Sequence, residues 1–145
     1  MGPHSRRQFI ERALVAVADL FRLALSLPRV KPDTRDGPAD QVSKERWWSI
    51  YNQLGAMLGD ANAYWMVFDP ADTKDHEAIV STLSDDLADI YRDLKASIEG
   101  DTQKVLTSDE LWELRFSFET HWGQHAVSAL SAMHALLYGP TAIID

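Results

Sequence analysis

The chain has 145 residues, 46% of them apolar, with 14 Lys+Arg against 22 Asp+Glu, a formal net charge of −8 and no cysteine. That length suits one domain with a core of its own, built without metal or disulfide staples. The missing cysteine excludes a disulfide framework, a thiolate zinc site and a cysteine nucleophile, and the acidic total argues against nucleic acid, whose phosphates need clustered Lys and Arg.

Residues 1–4 read as a disordered or tag-like start. From Ser5 to Leu27, Phe9, Ala13, Val17, Leu20 and Ala24 recur every three or four residues, the spacing of one helix face. Arg6, Arg7, Arg12 and Arg22 read as a solvated face of this helix, and Pro28 ends it. The most apolar run, Ala13 to Leu27, is broken by Asp19 and Arg22, so no membrane span is expected. No signal-peptide pattern appears either, and the expected location is cytoplasmic.

Residues 28–42 hold Pro32, Gly37 and Pro38 and read as a long, mobile surface loop. Ser43 is a suitable N-cap for a second helix that runs to about Leu58, where Gly59 and Asp60 close it. The short apolar run Ala63 to Phe68 fits either a helix end or an extended segment over the core. A third helix is expected from about Thr73 to Glu99, with Ile79, Val80, Leu83, Leu87, Ile90 and Leu94 inward and Gly100 as its C′ residue. Thr107 and Glu110 have the spacing of a capping box. They open a fourth helix that runs to Tyr138, with Gly123 near its middle as a place for a kink or a close contact. The expected fold is all-α: a single antiparallel, four-helix-bundle-like domain over residues 1–145, with a long loop between the first two helices.

The informative residues are polar ones on apolar faces. On a uniform helical wheel, Arg115 falls within the stripe of Leu111, Phe118, Trp122, Ala129 and Met133, with Glu119 and His125 toward its edges and His121 further round. In the third helix Asp86 and Asp93 flank the apolar stripe, and Asp89 points further out. A core-facing arginine needs a carboxylate, and Glu119, Asp86 and Asp93 are the candidates. Two readings stay open. The residues form an ion-pair network that fixes helix packing, or they line a polar pocket for a ligand or metal.

His121 and His125 stand at i and i+4, a spacing that suits two ligands of one divalent metal, with Asp86 as a third. His76 and His134 read as surface or capping histidines. Trp47 and Trp48 are adjacent and cannot share one core, so an exposed one is a candidate interface anchor. There is no glycine-rich phosphate loop with its Lys-Ser/Thr and no G-x-S-x-G elbow.

Two blocks, STLSDDLADIYRDLK from Ser81 to Lys95 and LWELRFSFETHWGQHAVSALSAMH from Leu111 to His134, together with Val67-Phe68-Asp69-Pro70, resemble bacterial domain-of-unknown-function family 5063. The resemblance implies a bacterial, cytoplasmic helical-bundle protein and brings no activity, cofactor or catalytic residue. Its blocks contain Asp85, Asp86, Asp89, Tyr91, Arg92, Arg115, Glu119, His121, Trp122 and His125. The functional expectation is a small non-enzymatic interaction or regulatory domain, monomeric or homodimeric, with a protein partner and no nucleic-acid or membrane partner. The alternative is a ligand- or metal-binding bundle, with hydrolase as a candidate activity. Its polar cluster lies between the third and fourth helices and comprises Asp86, Asp89, Asp93, Arg115, Glu119, His121, Trp122 and His125.

Overall fold

A computed structural model describes residues 3–34, 41–74, 77–97 and 105–143. Helix α1 spans Pro3–Leu25. Its Ile10, Val17 and Ala24, seven apart, are buried along one stripe. Helix α2 spans Lys44–Leu58, and the Ser43 side chain accepts a hydrogen bond from the Arg46 N–H, as the capping pattern predicts. Gly59 ends it at φ 54°, a backbone region that L side chains resist, and a single 3-10 turn follows over Gly59–Ala61.

Here the structure departs from an all-α chain. Ala63–Val67 forms strand β1 and Ala78–Thr82 forms strand β2, paired antiparallel in the register Ala63↔Thr82 to Val67↔Ala78. The fold is mostly helical with one small two-stranded sheet. The expected third helix therefore begins late, as α3 over Leu83–Ser97, and Ile79 and Val80 are exposed strand residues rather than core. Two causes act together. The β-branched residues Ile79, Val80 and Thr82 favour the extended state. Asn62 then takes over the start of α3: its carbonyl accepts the Leu83 N–H at 2.9 Å and its side-chain oxygen accepts the Ser84 N–H at 2.9 Å. His76 and Gly100 lie outside the described residues.

The expected fourth helix is one path in three parts: α4 over Ser108–Ser117, a π-helical turn over Phe118–Trp122, and α5 over Gly123–Tyr138. Thr107 and Glu110 form both bonds of the capping box. At the π turn the Gly123 N–H reaches back to the Phe118 carbonyl. A Cβ at Gly123 would lie 2.4 Å from that oxygen, so the close approach requires glycine.

Helix α5 packs against both α1 and α3, and α2 packs against α3 and reaches α1, where Arg6 Nε donates to the Met57 carbonyl. Small residues on α5 (Gly123, Ala126, Ala129, Ala132) are buried, which lets its neighbours approach closely. Trp122, Met133, Leu58 and Leu83 fill the space between. Residues 28–34, the described start of the long loop, are tied to α4. Arg115 Nη1 donates to the Leu27 carbonyl at 2.6 Å, and the Asp109 carboxylate accepts from Asp33 N, Thr34 N and the Thr34 hydroxyl. Among the described residues no helix is long and apolar enough to cross a membrane.

Candidate functional site

Asp86, Asp89 and Asp93 stand at i, i+3 and i+7 on α3, so they project from one face. That face meets the π turn and the start of α5. From there His121 and His125 project toward the three carboxylates, their rings 4.8 Å apart and edge to face.

Each histidine has a carboxylate oxygen near both ring nitrogens. His125 Nδ1 donates to Asp86 Oδ1 at 2.8 Å, and its Nε2 lies 3.2 Å from Asp89 Oδ2. His121 Nδ1 meets Asp93 Oδ2 at 2.6 Å, and its Nε2 lies 3.5 Å from the same Asp89 oxygen. Both Nε2 atoms thus converge on Asp89 Oδ2, while each Nδ1 has its own carboxylate. Asp89 Oδ1 is occupied separately: it accepts from Trp47 Nε1 at 2.7 Å and pairs with Arg92 Nη2 at 2.8 Å. Asp86 Oδ2 accepts from the Tyr64 hydroxyl at 2.5 Å.

Burial gives these contacts weight. Asp86 is 1% exposed and Asp89 7%. A carboxylate that dry must be paired. Burial alone would lower the basicity of His125, but hydrogen bonds and charge from Asp86 and Asp89 outweigh it and push its pKa up to about 10. At neutral pH in the absence of metal, His125 is an imidazolium bridging two carboxylates. Burial also works against ionised Asp89, yet the His125 bond, the Arg92 charge and the Trp47 indole together hold it below the usual carboxylate range. Asp85, at the edge of the cluster, is pushed up by burial and by the neighbouring Asp89 charge. Burial and then the bond to Asp86 raise the Tyr64 phenol well above its ordinary value.

The sequence-derived cluster divides in two. Asp86, Asp89, Asp93, His121 and His125 come together, whereas Arg115 and Glu119 lie apart from them. Arg115 Nε bonds Glu119 Oε1 at 2.9 Å, and Arg29 joins the same oxygen at 3.1 Å. Even a uniform wheel puts Glu119 and His125 at opposite edges of the stripe, with His121 further round, and the π turn between residues 117 and 123 also shifts the helical phase of α5 relative to α4. Trp122 is core, 1% exposed and tilted against Phe118. Its Nε1 is buried without a hydrogen-bond partner among the described residues.

Trp47, a candidate interface residue, instead turns its indole N–H into the cluster, and Trp48 stays 45% exposed. His134 is exposed, as expected. The roles of Trp47, Tyr64, Asp85 and Arg92 were not legible in the helical wheel. Tyr64 had one signal: in an extended reading of Ala63–Phe68 it faces opposite to Trp65.

Among the described residues, two triads have ligand atoms within 4.8 Å of one another: Asp89 with His121 and His125, and Asp85 with Asp86 and His125. The expected set of His121, His125 and Asp86 is thus spread over both. In the second triad Asp86 already holds the His125 Nδ1–H and the Tyr64 hydroxyl.

A family model described as a domain of unknown function, DUF5063, matches residues 2–139. The chain belongs to the DUF5063 family. A crystal structure of protein BF1032 from Bacteroides fragilis resembles this DUF5063 chain with a TM-score of 0.77 at 26% sequence identity, covering 96% of this chain and 82% of that one. No curated protein matches it. Neither likeness carries an activity, so the function of this DUF5063 chain has to be argued from its own residues.

Proposed function

We propose that this domain binds one divalent transition-metal ion through Asp89 Oδ2, His121 Nε2 and His125 Nε2. The observation that supports it is the convergence of two imidazole nitrogens on one carboxylate oxygen, each ring oriented by a second carboxylate at Nδ1. Metal-ligating histidines are commonly fixed in this way. Metal–ligand bonds of about 2.0–2.2 Å put neighbouring ligand atoms roughly 3–3.5 Å apart. The Asp89–His125 and Asp89–His121 separations are 3.2 and 3.5 Å. Asp86 and Asp93 then serve as orienting partners, with Tyr64, Trp47 and Arg92 holding the remaining carboxylate oxygens.

The metal competes with a proton, because His125 must lose one to coordinate. Two histidines and one carboxylate leave further coordination positions open, the pattern of sites that activate water or bind substrate. Hydrolysis is therefore the first activity to assay. The packing of α5 on α1 and α3, with α2 against α3 and touching α1, supports reading the frame as one antiparallel, four-helix-bundle-like domain. A bacterial cytoplasm is part of the same proposal.

The test is thermal unfolding of EDTA-stripped protein with added Zn²⁺, Mn²⁺ or Fe²⁺. Saturating metal should raise Tm by several degrees, since binding at about 100 Kd stabilises by roughly 2.7 kcal/mol. His121→Ala should abolish the rise. Unchanged melting with every metal would leave the cluster as structural ion pairs.

A second reading, a protein-interaction domain, draws on exposed apolar side chains of the hairpin: the cross-strand pair Trp65 and Val80 is 72% and 59% exposed, and Phe68, just past β1, is 77% exposed. The flanking Asp69 and Asp72 favour a partner with a basic, apolar segment. A Trp65→Ala/Phe68→Ala variant that keeps every association of the parent protein would dismiss it.

A further inference from the structure

Arg115 and Glu119 lie outside the Asp–His cluster, and their surroundings form a site of another kind. Residues Pro28 to Val30 run over α4 and leave a cleft of about 100 Å³ between themselves and Trp112, Arg115, Phe116 and Glu119. The wall on α4 is aromatic: the Trp112 and Phe116 rings stack 4.8 Å apart, 8° from parallel, and are 36% and 47% exposed. The opposite wall is anchored at both ends, by Arg115 on the Leu27 carbonyl and by Asp109 on Asp33 and Thr34.

The electrostatics of the cleft are unbalanced. One carboxylate oxygen, Glu119 Oε1, faces two guanidinium groups, those of Arg115 and Arg29. Arg115 uses Nε and Nη1, and its Nη2 has no hydrogen-bond acceptor among the described residues. Its side chain is only 17% exposed, whereas that of Arg29 is 76% exposed and free to move from Glu119 to another acceptor. A planar guanidinium with unused donors suits a carboxylate, and a stacked aromatic pair suits a ring. The retained Glu119 charge disfavours a dianion such as a phosphate ester. The volume is on the scale of one small ring.

We propose that this cleft binds a small aromatic monocarboxylate, with the carboxylate on Arg115 Nη2 and Arg29 and the ring against Trp112 and Phe116. The site rests on residues separate from the metal ligands and stands independently of the metal reading.

The test is NMR titration of the full chain, following the Trp112 indole N–H, with three probes: phenylacetate, acetate and phenylacetamide. Phenylacetate should shift that signal saturably. Acetate and phenylacetamide should bind at least about ten-fold more weakly, since one lacks the ring and the other the charge. Arg29→Ala, an exposed change that leaves the fold intact, should weaken phenylacetate about five-fold, the scale of one surface ion pair. Equal binding of phenylacetamide, equal binding of acetate, no saturable shift, or unchanged affinity in Arg29→Ala would each overturn the proposal.

Discussion

Two ion-pair clusters lie within a few residues of each other on the α4–α5 path, and they differ chiefly in access to water. In the Asp–His cluster the side chains of the central Asp86 and Asp89 are 2% and 10% exposed. In the Arg115 cluster the Glu119 and Arg29 side chains are 40% and 76% exposed. Where water is excluded, every oxygen and nitrogen must find a partner, and removing one strands the others. Where water enters, the same pairing is screened and contributes little. The buried cluster is therefore rigid and expensive to disturb, and it suits a metal. The open one keeps spare donors and a movable arginine, which suits an exchangeable anion.

The sharpest way to test that contrast is to remove one partner from each cluster. Asp86→Ala leaves the His125 imidazolium and the Tyr64 hydroxyl without their shared acceptor. It should destabilise the metal-free protein by about 3–5 kcal/mol in urea unfolding. A cost near that of a surface change would show that the cluster is wetter than its burial implies.

A pH series of the metal-free protein probes the same region without mutation. The folded pKa of His125, about 10, lies above its ordinary 6.5. Its stabilising contribution is thus fully present below about pH 6.5 and is lost as pH rises through 10. Stability in EDTA should fall across that window, and His125→Gln should flatten the slope. A smaller effect is expected from Tyr64→Phe, which removes one hydrogen bond to a buried charge, about 1.5–3 kcal/mol. The smallest belongs to the open cluster: Glu119→Ala should cost less than about 1 kcal/mol.

Much of the helical frame was legible because it depends on local rules. Ser43 caps α2, the Thr107–Glu110 box opens α4, and Ile10, Val17 and Ala24 mark the inner face of α1. The start of α3 was not legible. Ile79, Val80, Leu83 and Leu87 fit a helical spacing, and the β preference of residues 79–82 decides for the hairpin only with the partner strand and Asn62, brought together by tertiary contact. Within the site, the i, i+4 histidines and the seven-residue spacing of Asp86 and Asp93 were readable, whereas Asp89, which the wheel turns further out, is 7% exposed at the centre of the cluster. The wheel set Glu119 opposite the histidines but left Arg115 within the stripe of Trp122 and Ala129, because a π turn has no wheel signature and shifts the phase of everything after it. The inward indole of Trp47 and hydroxyl of Tyr64 depend on how α2 and β1 pack against α3, which no single-segment pattern encodes.

The central claim is that Asp89, His121 and His125 form one metal site, and calorimetric titration of Zn²⁺ into EDTA-stripped protein tests it most directly. The measurement should be made at pH 6.5 and at pH 8, on the parent protein and on Asp89→Asn, which keeps the shape of the side chain and removes its charge. The account predicts one ion per chain, proton release on binding, tighter binding at the higher pH, and loss of binding in Asp89→Asn. No binding, or binding that Asp89→Asn leaves intact, would contradict it.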